Sequence, residues 1–142
     1  MLRNINPILS PDLLHALRAM GHGDEIVIAD ANFPAESAKP KCIRADGSDA
    51  SEVLRAILSV MPLDTFVADP ANCMQVVGNP EEVPDAVQDF QSIINEMADA
   101  PAEIQMIERF AFYDRANTAY AVVQTGEGRL YGNIILTKGV IA

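Results

Sequence analysis

The chain has 142 residues, 20 acidic against 10 basic, and a formal net charge of −10; that argues against nucleic acid and anionic membranes as partners, since both need Lys/Arg patches. Its hydrophobic fraction of 49% and charged fraction of 21% are those of a packed globular protein. A single domain over 1–142 is expected, large enough to bury a core without disulfides or metal.

Met1–Pro7 lacks the long apolar run of a signal peptide, and no stretch approaches the roughly 18 apolar residues of a membrane span. Cys42 and Cys73 read as buried apolar fillers, and no Asn-X-Ser/Thr acceptor is present. Both features predict a reducing cytoplasm. Two histidines and two scattered cysteines make no recognisable zinc box.

Along the chain, Ser10-Pro11 predicts a helix start, with serine as N-cap and proline at the first helical position. Leu13, Leu14, Leu17 and Met20 form its apolar face, and Gly21 is expected to close it. Glu25 to Asp30 reads as a short buried strand ending in an acid, followed by an irregular stretch to about Gly47. Ala50, Val53, Leu54, Ile57, Leu58 and Met61 recur at helical spacing and predict a helix over 49–61. Extended segments are expected at 65–68 and 73–77, a helix at 84–98, a strand at 104–107 and a short helix at 109–117. The end reads as two strands, 119–124 and 130–136, joined by a turn over 125–129. Helices and strands alternate, so the expected class is α/β, a central sheet flanked by helices.

Several clusters carry possible chemistry. Gly21-His22-Gly23-Asp24 reads either as a helix cap followed by a surface histidine or as an imidazole presented to a ligand between residues without side chains. The third glycine of a dinucleotide fingerprint is absent, and the cluster precedes a strand. Asp30 ends an apolar strand, where a carboxylate either caps the next loop or meets ligand hydroxyls. Arg109-Phe110-Ala111-Phe112-Tyr113 reads as an amphipathic helix with Arg109 in a surface pair, or as part of a site. Tyr131-Gly132-Asn133 interrupts an apolar strand; such a glycine marks a bulge or close approach, and a buried asparagine needs partners. Asp64 is a turn cap by position, and His15 is explained by packing.

Together these pieces resemble the fucose mutarotase and ribose pyranase family. Gly21–Asp24 with Asp30-Ala31-Asn32-Phe33-Pro34 is similar to its N-terminal signature, and Tyr131–Leu136 with Lys138-Gly139-Val140 to its C-terminal one. Arg109–Ala116 and Pro62-Leu63-Asp64-Thr65 are similar to the fucose branch. Departures lie around 35–42 and in the third helix.

The resemblance implies a cofactor-free carbohydrate isomerase that interconverts the anomers of L-fucose or a related neutral monosaccharide. It also implies a homo-oligomer, a ring-shaped decamer with sites near subunit contacts. His22 matches the proton donor; Asp30, Arg109, Tyr131, Gly132 and Asn133 match sugar-binding positions; Asp64 and Tyr113 match further sugar contacts. Histidine suits ring opening because both its forms exist near neutrality. Tyr131 or water would relay the second proton, and Phe112 or Tyr113 would cover the apolar face of a 6-deoxy sugar. Two rivals remain: a ribose pyranase, and a non-catalytic sugar-binding protein.

Overall fold

The Ser10 side chain accepts the Leu13 N–H, and Pro11 opens helix α1 (Pro11–Ala19), whose buried face is Leu13, Ala16 and Leu17. The structure, a computed structural model, describes residues 1–142. Helix α2 (Ala50–Leu58) begins on a capping box in which Asp49 and Glu52 each bond the other's backbone N–H. Helices α3 (Asp85–Met97) and α4 (Arg109–Ala116) follow, close to their expected bounds. No helix is long and apolar enough to cross a membrane.

Six strands make one mixed sheet: β1 (Glu25–Ala29), β2 (Lys41–Ala45), β3 (Ala71–Met74), β4 (Gln105–Ile107), β5 (Ala121–Thr125) and β6 (Ile134–Thr137). Their order across it is β2-β5-β1-β6-β3-β4. Strand β1 runs parallel to β5 and antiparallel to β6, and β3 pairs antiparallel with β6 and parallel with β4.

Successive residues of a strand face opposite sides. Ile26, Ile28, Val123, Ile134 and Leu136 accordingly join the large core under α1, α2 and α3. Val27, Ala29, Val122 and Ile135 join a smaller one with Phe33 and with Phe112 and Ala116 of α4. The sheet is thus covered on both faces, which explains why β1 reads as a continuous apolar run.

Four expectations are corrected. Helix α1 ends at Met20 without a left-handed glycine; the Lys138 ammonium instead donates to the Leu17 and Met20 carbonyls, at 2.7 and 2.6 Å. The stretch expected to be irregular contains β2, an edge strand bonded only to β5, whose Lys41 and exposed Arg44 hide its pattern. Residues 65–68 form no strand, and the segment expected at 73–77 is β3, lying two to three residues earlier. Finally, β5 and β6 are no hairpin, since β1 lies between them, and β6 begins only at Ile134. Tyr131 precedes it in a turn at φ 60°, a left-handed conformation rare for a side chain of its size.

The loop carrying Leu63 and Asp64 docks on the end of β6 through Asp64 N–H to the Thr137 carbonyl, 3.0 Å, and Gly139 N–H to the Pro62 carbonyl, 2.9 Å. A Cβ at Gly139 would stand 2.7 Å from the Leu63 oxygen and 2.8 Å from the Asp64 Cα. Gly139→Ala is therefore expected to destabilise the protein by about 1–3 kcal/mol, read as a lower urea midpoint with an unchanged slope.

Candidate active site

The site residues fall at the two ends of the sheet. At one end, Gly23 takes φ 85° and turns the chain into β1, with its N–H on the Lys138 carbonyl at 2.9 Å. That turn presents His22, whose Nε2 lies 3.0 Å from Asp64 Oδ1. The imidazole is 43% exposed, whereas the Asp64 side chain is buried. The same Oδ1 accepts the Thr65 and Phe66 N–H groups at 2.9 and 3.2 Å. A carboxylate only accepts, so Nε2 carries the hydrogen and Nδ1 is left free toward solvent. Phe66 stands edge-on to the imidazole, ring centroids 5.1 Å apart.

At the other end, Asp30 leaves β1 and meets Asn133 just before β6. Asn133 Oδ1 accepts the Asp30 N–H at 2.7 Å, which turns its Nδ2 toward Asp30 Oδ2 at 2.9 Å. Asp30 Oδ1 accepts the Asn32 N–H at 3.0 Å, so the carboxylate also holds the loop that follows. Gln124 donates to the Asp30 carbonyl from the neighbouring strand. Gly132 is buried, and a Cβ there would stand 2.6 Å from Glu127 Cγ and 3.2 Å from the Arg129 oxygen. The Tyr131 hydroxyl accepts the Val77 N–H at 3.1 Å, which leaves its own hydrogen for a ligand. Arg109 begins α4 at the same end, its guanidinium 4.7 Å from the Phe110 ring centroid. It lines an open cavity of about 330 Å³ with Gln75, Val77 and Phe110.

Tyr113, half-buried, rests on Phe33 at 5.6 Å between ring centroids. Phe112 is fully buried and cannot touch a sugar, which corrects that part of the expectation. Asp64, expected among the sugar contacts, sits behind His22 with one oxygen shared by three donors.

The two carboxyls are perturbed in opposite directions. Burial pushes Asp30 above its ordinary range, against the hydrogen bonds from Asn32 and Asn133. Burial also raises Asp64, but the Phe66 N–H, His22 and Thr65 outweigh it and hold its carboxyl low.

One chain does not bring the two groups together. His22 precedes β1 and Asp30 follows it, so a five-residue strand rising about 3.3 Å per residue separates them by about 17 Å. That span is far wider than one sugar ring. His22 and Asp64 share one end; Asp30, Arg109, Tyr131, Gly132 and Asn133 share the other.

Sequence reading missed three supporting residues. Gln124 carried the same signal as Asn133, an amide in an apolar strand. Glu127 is a buried carboxylate bonded to the Arg129 N–H and guanidinium. Phe66 lay in a segment expected to be extended.

The RbsD / FucU transport protein family matches residues 3–141. The chain belongs to this family. Within the RbsD / FucU family, it is 46% identical over 140 residues to the L-fucose mutarotase of Actinobacillus pleuropneumoniae serotype 5b (strain L20), covering 99% of this chain and 97% of that one. It is 49% identical over 148 residues to the fucose mutarotase of Mus musculus, covering 99% and 95%. The crystal structure of the fucose mutarotase in complex with L-fucose from Streptococcus pneumoniae superposes with a TM-score of 0.92 at 44% identity, covering 99% and 100%.

The carboxyl shifts predict acid behaviour. A carboxyl held low when folded contributes stability above its ordinary value of 3.8 and loses it as pH falls through the lower folded value. Asp30, raised, contributes with the opposite sign. Asp64→Asn should therefore cost about 1–3 kcal/mol near neutrality, a deficit that shrinks as pH falls below 3.8. Urea unfolding of both proteins across that range checks it; a deficit independent of pH contradicts it.

Proposed function

We propose that this chain is an L-fucose mutarotase, interconverting the α and β anomers by acid–base ring opening and closure. The observation that carries the reading is an imidazole fixed through Nε2 on a buried carboxylate, with Nδ1 free. The substrate follows from the likeness, over nearly the whole chain, to fucose mutarotases, one of them solved with L-fucose. A neutral sugar also meets no repulsion from a chain of charge −10.

In the proposed reaction Nδ1 of protonated His22 delivers its proton to the ring oxygen. The bond from that oxygen to C1 breaks as the anomeric hydroxyl gives its proton to a base, which leaves the open aldehyde. Rotation about C1–C2 and the reverse transfers close the ring on the other face. Only protons move, so no redox partner is required. Tyr131, with its hydrogen free, relays the second proton or passes it to water. Asp30 accepts from sugar hydroxyls, while Arg109 and Asn133 orient them.

Because His22 and Tyr131 lie at opposite ends of β1, we place the complete site between two copies of the chain, in a closed homo-oligomer of the decameric kind. Exposed apolar side chains at both ends support this: Phe66 and Val67 at one, Val77 and Phe110 at the other. The two free thiols agree with a reducing cytoplasm.

Magnetisation-exchange NMR tests the activity: the protein should speed α/β exchange of L-fucose beyond buffer, and His22→Ala should slow it by about 10²-fold or more. Wild-type-like exchange in assembled His22→Ala protein would remove His22 from the mechanism. Complementation tests the shared site. His22→Ala and Asp30→Ala chains, each inactive alone, should on co-expression recover roughly a quarter of wild-type exchange, the share of contacts pairing intact ends. No recovery in verified mixed assemblies argues for a site within one chain.

A further inference from the structure

We propose that Phe66 is a specificity-determining residue that receives the apolar substituent on the sugar carbon next to the ring oxygen. The proposal rests on the mutarotase reading above and adds which part of the sugar meets this side chain.

Phe66 is 73% exposed, unusual for a phenylalanine in a short loop. It is not loosely placed. Its N–H is bonded to Asp64 Oδ1, the oxygen that also holds His22 Nε2, so imidazole and phenyl ring hang from one buried anchor. Their centroids are 5.1 Å apart and their planes cross at 60°. A sugar that reaches the exposed imidazole therefore comes within about one ring's width of the phenyl group.

Ring opening fixes what that neighbour meets. The proton must go to the ring oxygen, which is bonded to C1 and C5. C1 carries the anomeric hydroxyl, which must reach a base and so cannot face a hydrocarbon ring. C5 carries the methyl group of L-fucose, one bond from the protonated oxygen's neighbour and free of hydrogen bonds. The ring beside the acid thus takes the C5 side. A hydroxyl on that methyl, as in L-galactose, would lose water against the phenyl ring without gaining a partner. D-arabinose has the configuration of L-fucose without the methyl and would leave the ring uncovered. Phe66 is the aromatic at the His22 end: Phe112 is buried, Tyr113 rests on Phe33, and the exposed Phe110 stands beside Arg109 at the opposite end of the sheet.

Exchange rates of the intact protein on L-fucose, D-arabinose and L-galactose, at equal sub-saturating concentrations, test this. Wild type should prefer L-fucose to D-arabinose by about tenfold, the value of one methyl group in an apolar pocket. Phe66→Ser should bring that preference to about twofold or less by slowing L-fucose alone, and should narrow the gap to L-galactose. Phe66→Leu, apolar but not aromatic, should keep most of the preference. If Phe66→Ser keeps the wild-type preference, or slows L-fucose and D-arabinose equally because the ring serves only His22 or subunit contact, the inference is overturned while the mutarotase reading stands. No L-fucose exchange by wild type would overturn both.

Discussion

The antiparallel register of β1 against β6 is the constraint on which the rest depends. It pairs Ile28 with Ile134 and Glu25 with Thr137. Just beyond the first pair, Asn133 reaches diagonally to Asp30, two residues past Ile28; one step beyond the second, Lys138 bonds the Asp24 carbonyl and receives the Gly23 N–H. The same strand thus builds both candidate half-sites, one at each end. A slip of one residue would turn Ile134 and Leu136 out of the large core and carry Asn133 to the other face. Burial of those side chains therefore fixes the position of the polar groups.

The helices were legible because each declares itself locally. Ser10-Pro11 and Asp49 with Glu52 are caps written in adjacent residues, and the apolar spacing between them is regular. Strand β1 was legible for the opposite reason: buried on both faces, it has no polar interruptions. Strand β2 was not, since an edge strand bonded on one side tolerates Lys41 and Arg44. The start of β6 was misread because Leu130 and Tyr131 lead toward the apolar run Ile134 to Leu136, while the turn that excludes them is imposed from elsewhere. Glu127 fixes Arg129, and Gln124 holds the Asp30 carbonyl from a residue 94 positions away. The site residues themselves were visible as anomalies, such as an asparagine and a glycine among apolar neighbours. The separation of His22 from Asp30 was implicit in the strand between them, whereas the return of Asp64 to the His22 end depends on the loop docking on the end of β6.

Asp30 and Asp64 show how two inaccessible carboxyls come to be perturbed in opposite directions. Both carboxyls are nearly inaccessible, at 6% and 2% exposure. Asp64 concentrates two backbone N–H groups and an imidazole on one oxygen, so its charge is well compensated and stays in place as an anchor. Asp30 spreads its contacts, with the Asn32 N–H on Oδ1, the Asn133 amide on Oδ2 and the Phe33 and Gly132 backbone nearby, and burial still outweighs them. A carboxylate whose burial is not offset gains more from one further donor than one whose charge is already compensated. Asp64 is thus committed to holding the His22 imidazole, while Asp30 keeps capacity for a further donor.

Motion within the chain offers no alternative to a second copy for uniting His22 with Asp30. A hinge would have to act inside β1, but Ile26 to Ala29 are fully buried and bonded along both edges, to β5 and to β6. Opening either edge would expose unpaired backbone groups together with core side chains, at a cost comparable to unfolding the domain. The loop bearing His22 is no freer, since Gly23 is bonded to Lys138 and the imidazole to Asp64, itself docked on Thr137. The span of β1 is therefore a fixed length. Two rigid half-sites a fixed length apart can share one small ligand only when the acid end of one copy faces the Asp30 end of another. Such a contact pairs different residues of the two chains, either reciprocally about a two-fold axis, where two sites form at once, or head to tail, where closure requires a ring.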